Sequence, residues 1–352
     1  MGAAGILKKK KKQVDKGFSN FKNIFSNFKK LASNVNEFLE NINQELEDAN
    51  QMMQEEGNFV QNMAQNGLNQ QNEQRFEQDE QREDQEERDI IQKLEQVTEL
   101  IGEQEQMVEK EINITETSEK ANSKEEEALY KLLQDMENNG INRQKKETFE
   151  KGLKAVADEE EEEADEIAYE VKEEEQVSKE IYQSAEEAEK LIEELGRDVQ
   201  YLEELVEVAE SMGARQFEQE LAQMLERKRQ ELQEVEQILE NLESEREELE
   251  QEEKETKKEA EEEIEEDKKE EKIVEEGHEF ESKAGVESKQ DQKIEKKVEE
   301  EDEDAAEETE EAMKELGDEN WDKASKEELS QGMNMLEKVE NEEEKAESEA
   351  ES

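Results

Sequence analysis

The chain has 352 residues, of which 30% are apolar and 45% are charged, and its formal net charge is -63. That apolar share is well below the roughly 45% of ordinary globular domains, which excludes one compact core of this size. Proline and cysteine are both absent, so disulfides and thiolate chemistry are excluded and long uninterrupted helices are favoured. We therefore predict an all-α protein, with extended coiled-coil or helical-hairpin segments joined to disordered acidic segments.

The N-terminal part combines basic charge with regular apolar spacing. Every third or fourth residue from Val14 to Met53 is apolar, which is the spacing of a heptad helix. Residues 1–36 hold nine lysines and one aspartate, so they carry +8 and the rest of the chain carries -71. We predict a basic tail over 1–13 and a basic, Phe-rich amphipathic helix over 14–56.

A helix with aromatic side chains on one face and lysines beside them fits docking on an anionic membrane surface. In the alternative interpretation, the Phe stripe is a bundle core and the lysines neutralise the protein's own acidic helices. Nucleic acid or another polyanion is a weaker alternative. The predicted docking residues are Lys8, Lys9, Lys10, Lys11, Lys12, Phe18, Phe21, Lys22, Phe25, Phe28, Lys29 and Lys30.

The middle of the chain alternates between polar and heptad segments. Residues 57–89 are rich in Gln and Asn and poor in apolar residues, which indicates a spacer. Residues 90–157 form an interrupted helical segment, because Asn138-Asn139-Gly140 is typical of a helix stop. Residues 158–270 have apolar heptads on both sides of a glycine. They predict a helical hairpin with its turn near 211–214.

The C-terminal part is acidic and poor in large apolar residues. We expect helix fraying over 259–271, a disordered linker over 271–304, short amphipathic helices over 305–340 and an acidic tail over 341–352. The predicted C-terminal docking residues are Trp321, Leu329, Met333 and Leu336.

No residue pattern in the sequence indicates catalysis. The single histidine, His278, lies outside any predicted core, so a nucleophile would lack a base beside it. Carboxylates are abundant, but nothing predicts the apolar pocket that tunes one for acid–base chemistry. We expect no enzyme activity, no cofactor and no metal site.

These patterns favour a structural or interaction coiled-coil protein, docked on a membrane or another anionic surface through its N-terminal helix. The alternative is an acidic chaperone or decoy that binds basic proteins through Glu-rich helices and tail. The expected partners are proteins, a second copy of the chain, or an anionic membrane surface; nucleic acid is not expected. The expected location is the cytoplasm, with peripheral membrane association as an alternative, because no segment approaches the ~20 apolar residues of a membrane span.

Overall fold

The computed structural model describes residues 3–66, 70–284 and 321–350, together with the isolated positions 296, 305, 306, 309, 312 and 314. The helices are α1 (Ala3–Asn66), α2 (Gln70–Asn139), α3 (Arg143–Met212), α4 (Arg215–Ala284) and α5 (Trp321–Ala350). Throughout the described ranges no residue lies in a β-strand, which confirms the all-α prediction.

Glycines in the left-handed conformation follow α2 and α3. Gly140 has a φ of 83°, and its N–H donates to the Met136 carbonyl at 2.9 Å. Gly213 has a φ of 71°. Only glycine adopts this conformation at low cost, so both positions suit the end of a helix. The next helix, α3, is capped by Asn142, whose side-chain oxygen accepts a hydrogen bond from the Lys145 N–H at 2.9 Å.

Contacts between residues divide the chain into two units, and each unit contains a segment of α1, α2, α3 and α4. Unit 1 comprises Met1–Lys30, Gln104–Gln176 and Leu249–Asn320. Unit 2 comprises Leu31–Glu103, Val177–Glu248 and Trp321–Ser352. Each unit buries its own set of apolar side chains.

One core of unit 1 lies between the end of α2, the start of α3 and the last part of α4. Its members are Leu129, Leu132, Leu133, Met136, Phe149, Leu153, Val156, Ala157, Ile273 and Val274. A Cβ placed on Gly277 would lie 2.8 Å from the Phe149 ring, so α3 and α4 approach closely here. Each fully buried large side chain contributes about 1.5 to 3 kcal/mol.

This core corrects the prediction for α4. The sequence suggested fraying over 259–271 and disorder from 271 onwards, but α4 continues unbroken to Ala284. The prediction is wrong for 271–284 because Ile273 and Val274 pack into the core with α2 and α3. The remainder of the predicted linker, 285–304, lies outside the described residues apart from Lys296.

Three other predicted boundaries also fall within helices. Residues 3–13 of the predicted tail belong to α1, and the Gln/Asn-rich spacer is helical over 57–66 and 70–89. The predicted acidic tail is helical over 341–350, because α5 is one helix as far as Ala350. Glu, Lys and Ala have high helix propensity and need no core to favour this backbone.

The core of unit 2 lies beside the α3–α4 turn and receives Phe76 from α2. Its buried members are Phe76, Leu202, Leu205, Ala209, Phe217, Leu221 and Met224. The rings of Phe76 and Phe217 meet edge to face, with centroids 6.2 Å apart. Among the described helices, none combines the length and apolar content that a bilayer crossing requires.

Candidate functional site

The aromatic stripe of α1 packs inside unit 1. Phe21 and Phe28 are buried, at 0% and 3% exposure, while Phe25 is half-buried. The Phe21 and Phe25 rings lie against Tyr169 of α3, with centroid separations of 6.3 and 4.5 Å. Phe21 and Phe25 therefore pack against another helix of the same unit. The Phe18 side chain lies outside the described part.

The lysines beside this stripe interact with their own unit. Lys22, Lys29 and Lys30 are exposed, and the Lys29 ammonium lies 3.9 Å from the centre of the Phe25 ring. Burial raises the pKa of the Glu173 carboxyl to about 7, and Lys29 partly opposes this increase. The predicted cluster Lys8–Lys12 has a helical backbone, but its side chains lie outside the described part.

Unit 1 has carboxyl groups in its interior. Glu111 of α2 and Glu173 of α3 are buried, and they are close enough for their charges to interact. Two ionised carboxylates repel each other and are costly to bury, so the interior favours the neutral form of at least one of them. Burial, followed by the interaction with Glu173, raises the pKa of Glu111.

Threonine hydroxyls support the neighbouring glutamates. The Thr115 hydroxyl donates to Glu170 at 2.6 Å and lies 3.4 Å from Glu166, and the Thr256 hydroxyl donates to Glu174 at 2.5 Å. Burial raises the pKa of Glu166 to about 8, although the Thr115 hydroxyl and Lys22 lower it. Burial also raises the pKa of Glu170 and Glu174 well above their usual range. A single hydroxyl donor does not replace the hydration of an ionised carboxylate.

Unit 2 surrounds one fully buried lysine with carboxylates. Lys228 of α4 is 0% exposed, and its ammonium contacts Glu87 of α2 and lies 2.9 Å from Asp198 of α3. Asp84 and Glu80 of α2 follow at 3.5 and 4.0 Å. Residues 80, 84 and 87 share one face of α2 because they are spaced by four and three positions. Three helices thus converge on one cation.

Charge balance sets the protonation of this cluster. Burial lowers the pKa of Lys228, but Glu87, Asp198 and Glu80 outweigh it, so the pKa is raised and the ammonium stays charged. One ammonium cannot neutralise four buried carboxylates. Consistent with this, burial raises the pKa of Glu80 to about 7 and also raises that of Glu87, against the effect of Lys228.

The same cluster includes oxygen atoms that could ligate a cation. Asp84, Glu87 and Glu231 each place one carboxylate oxygen within 4.8 Å of the others, and hard cations prefer such ligands. Lys228 contacts two of these carboxylates, and Arg88 donates to Glu231 at 2.9 Å. Arg227 also pairs with Asp84, so these three carboxylates are balanced by Lys228, Arg88 and Arg227 together rather than by Lys228 alone.

The predicted C-terminal docking residues are divided by burial. Leu329 and Leu336 of α5 are buried, Met333 is half-buried, and the Trp321 side chain lies outside the described part. The sequence interpretation did not identify Gly332 as part of this face, although a glycine three residues from a seam leucine indicates close helix approach.

No protein-family model matches the chain, and no curated protein sequence matches it. Two solved structures that align with it are designed proteins. A de novo designed helical repeat protein is 14% identical, aligns over 78% of this chain and 99% of that chain, and has a TM-score of 0.15. A designed self-assembling cyclic homooligomer is 15% identical over 80% of this chain and 98% of that chain, also with a TM-score of 0.15. At such TM-scores neither similarity supports a conclusion about this chain.

The sequence did not predict which carboxyl groups are buried, although two charged residues at apolar seam positions indicated buried charge. Lys228 occupies an apolar seam between Leu225 and Leu232, where a cation requires buried partners. Glu174 occupies a seam position of α3 in the same way. The other buried glutamates cannot be distinguished in the sequence from exposed ones, because glutamate is also the commonest surface residue of this chain.

Proposed function

We propose that this chain is a non-enzymatic helical interaction protein that binds basic proteins through its exposed acidic helix faces. The net charge of -63 supports this proposal, because an acidic surface attracts basic partners and raises their association rate. Binding a basic partner would also relieve repulsion between the acidic helices.

The observation that carries the proposal is the position of the apolar side chains. In the described part of the chain, the large apolar residues that are exposed are Tyr130 at 42% and Met212 at 52%. They lie in different units, so they form no continuous apolar patch within either one. Phe21 and Phe25 of α1 likewise pack against Tyr169. Within the described residues, charge rather than an apolar patch is thus the surface property available for recognition.

The test is binding of the full chain to a lysine-rich peptide, followed by fluorescence anisotropy over a salt series. We expect the affinity to fall steeply with salt, because interactions between exposed charges are screened over about 8 to 10 Å at physiological ionic strength. A variant with Lys8 to Lys12 replaced by glutamine should bind equally well. Absence of binding at low salt, or affinity that salt does not change, would reject the proposal.

A second candidate function is docking on an anionic surface through the basic N-terminal end of α1. Residues 8–12 are five consecutive lysines on a helical backbone, and at 3.6 residues per turn they surround the helix rather than share a face. This arrangement supports contact with an anionic surface by charge alone, whereas the burial of Phe21 and Phe28 argues against insertion of the stripe. Flotation with phosphatidylcholine vesicles, with and without phosphatidylserine, tests it. Equal recovery of the wild type and the glutamine variant from anionic vesicles would reject this version.

A further inference from the structure

An open cavity of about 520 Å³ lies between α2 and α4 within unit 1. This volume falls in the range of small-molecule sites, which is about 300 to 1,000 Å³. The side chains that line the cavity are Ser123, Lys124, Glu126, Glu127 and Tyr130 of α2 with Lys269, Lys272 and Ile273 of α4. Ile273 also belongs to the buried core that contains Leu129 and Leu133, so packing fixes the apolar wall of the cavity.

Tyr130 is the aromatic side chain of this cavity. It is one of two large apolar side chains that are exposed in the described part of the chain, at 42%. Its neighbour Leu129 is buried in the core, so α2 is anchored immediately beside the exposed ring. A tyrosine ring held in this way offers a flat face on which an aromatic ligand can stack.

The charge that lines the open part of the cavity is mainly positive. Lys124, Lys269 and Lys272 are exposed, and Lys124 and Lys272 have no ion-pair partner among the described residues. The exposed carboxylate, Glu127, pairs with Lys131 of its own helix, and Glu126 is buried. In a chain with a net charge of -63, this cavity therefore presents ammonium groups that no carboxylate neutralises.

We propose that this cavity binds a small organic phosphate that carries an aromatic ring and has the size of a mononucleotide. Lys124 and Lys272 pair with the phosphate from opposite walls, and the Ser123 hydroxyl can donate to a further phosphate oxygen. The ring of the ligand stacks on Tyr130. An uncharged aromatic ligand would leave the lysines unpaired, and inorganic phosphate would leave Tyr130 uncovered. The site uses the cations of the chain, so it is independent of the proposed binding of basic proteins.

The test is titration of adenosine monophosphate into the full-length protein by isothermal titration calorimetry. Adenosine and inorganic phosphate are titrated separately. We expect one molecule of adenosine monophosphate to bind per chain, and each fragment to bind at least about tenfold more weakly, because it lacks either the stacking ring or the charge. Absence of saturable binding at low-millimolar adenosine monophosphate would overturn the proposal. Inorganic phosphate that binds as tightly as adenosine monophosphate would overturn the role of Tyr130.

Variants of the lining residues identify the contacts. Lys124→Gln and Lys272→Gln should each weaken binding of adenosine monophosphate by about tenfold or more, because a charge-assisted hydrogen bond is lost. Tyr130→Ala should weaken it by about tenfold and leave the affinity for inorganic phosphate unchanged. Far-UV circular dichroism of each variant checks that the helices stay folded.

Lys257→Gln is the matched control, since Lys257 is an exposed lysine of α4 in unit 1 that does not line the cavity. Its affinity for adenosine monophosphate should equal that of the wild type. If Lys257→Gln weakens binding as much as Lys272→Gln does, the phosphate is attracted by lysines in general and the proposal is overturned. Unchanged affinity in both Lys124→Gln and Lys272→Gln would overturn it as well.

Discussion

Units 1 and 2 are built from parts of the same four long helices, yet they accommodate buried acidic side chains in different ways. In unit 2, Lys228 brings a positive charge into the interior and four carboxylates gather around it. In the described part of unit 1 no lysine or arginine is buried. Among its buried glutamates, Glu170 and Glu174 accept hydrogen bonds from threonine hydroxyls and Glu163 accepts one from Asn122. A buried carboxyl is costly when it is ionised without a cation, so the glutamates of unit 1 are expected to depend on protonation where those of unit 2 depend on Lys228.

The protonated glutamates of unit 1 and the buried lysine of unit 2 predict different dependences of stability on pH. In unit 1, the folded-state pKa of Glu166 is about 8, above the unfolded value of about 4.5. Its contribution to stability is therefore complete below pH 4.5 and is lost as the pH rises through about 8. In unit 2, the pKa of Lys228 is raised above 10.5, so its contribution persists through neutral pH and is lost only in strong alkali.

The largest expected effect comes from removing the buried cation. Lys228→Met leaves Glu87 and Asp198 without their partner, and breaking a buried ion pair costs about 3 to 5 kcal/mol. Urea unfolding followed by circular dichroism measures the loss. Lys93→Met, which removes a partly exposed pair with Glu45, is the control and should cost about 1 kcal/mol or less.

A double variant sharpens this result. Adding Glu87→Gln to Lys228→Met should restore part of the lost stability, because one uncompensated charge is removed. If Lys228→Met costs no more than the Lys93→Met control, then the cation is not what supports the carboxylates of unit 2.

In unit 1, Glu166→Gln should have an effect that depends on pH. At pH 8 the variant should be more stable than the wild type by about 4 kcal/mol, because ionisation of Glu166 then favours the unfolded chain whereas glutamine stays neutral in both states. Below pH 4.5 the two proteins should unfold alike. Hydrogen exchange of the peptides around Glu166 across this range measures the difference, and a pH-independent effect would contradict the account.

Removing a hydroxyl donor in unit 1 should have a moderate effect. Thr115→Val deletes the hydrogen bond to Glu170, at a cost of about 1 to 2 kcal/mol. Thr117→Val is a matched control, since its exposed hydroxyl bonds only to the Asn113 carbonyl of its own helix, at 2.8 Å. That control should change stability by less than about 0.5 kcal/mol. Equal losses in the two variants would show that the Thr115 contact has no special role.

The smallest effects should be the same in both units. Lys254→Gln in unit 1 and Arg82→Gln in unit 2 each remove an exposed ion pair spaced by four residues on one helix. Each should cost about 0.3 to 0.5 kcal/mol in thermal unfolding at low salt, and less at high salt. A clear difference between the two variants would mean that the units also differ at their surfaces.

Much of the helical pattern could be predicted from the sequence. The heptad spacing in α3 marks Ala164, Ile167, Val171 and further apolar positions as one face of the helix, and these residues are buried in the structure. Glycine also marked the ends of α2 and α3, because few other residues adopt a positive φ. The acidic, apolar-poor composition of 271–284 predicted disorder, but this segment is helical. Ile273 and Val274 are buried there against residues of α2 and α3 that are far away in sequence.

The candidate sites were harder to predict because they depend on register between helices. The partners of Lys228 in α2 lie about 140 residues away in sequence, so its position in a leucine seam indicated burial without naming them. The N-terminal stripe was also ambiguous, because its Phe pattern suits either a membrane face or a bundle core. The contact of Phe21 and Phe25 with Tyr169, which favours the second interpretation, required the structure.

Carbon-13 NMR titration of the glutamate carboxyls tests the difference between the units most directly. The account predicts that Glu166 remains protonated at neutral pH and titrates near pH 8. If Glu166 instead titrates near the ordinary glutamate value of about 4.3 in the folded protein, the interior of unit 1 does not depend on protons and the comparison fails.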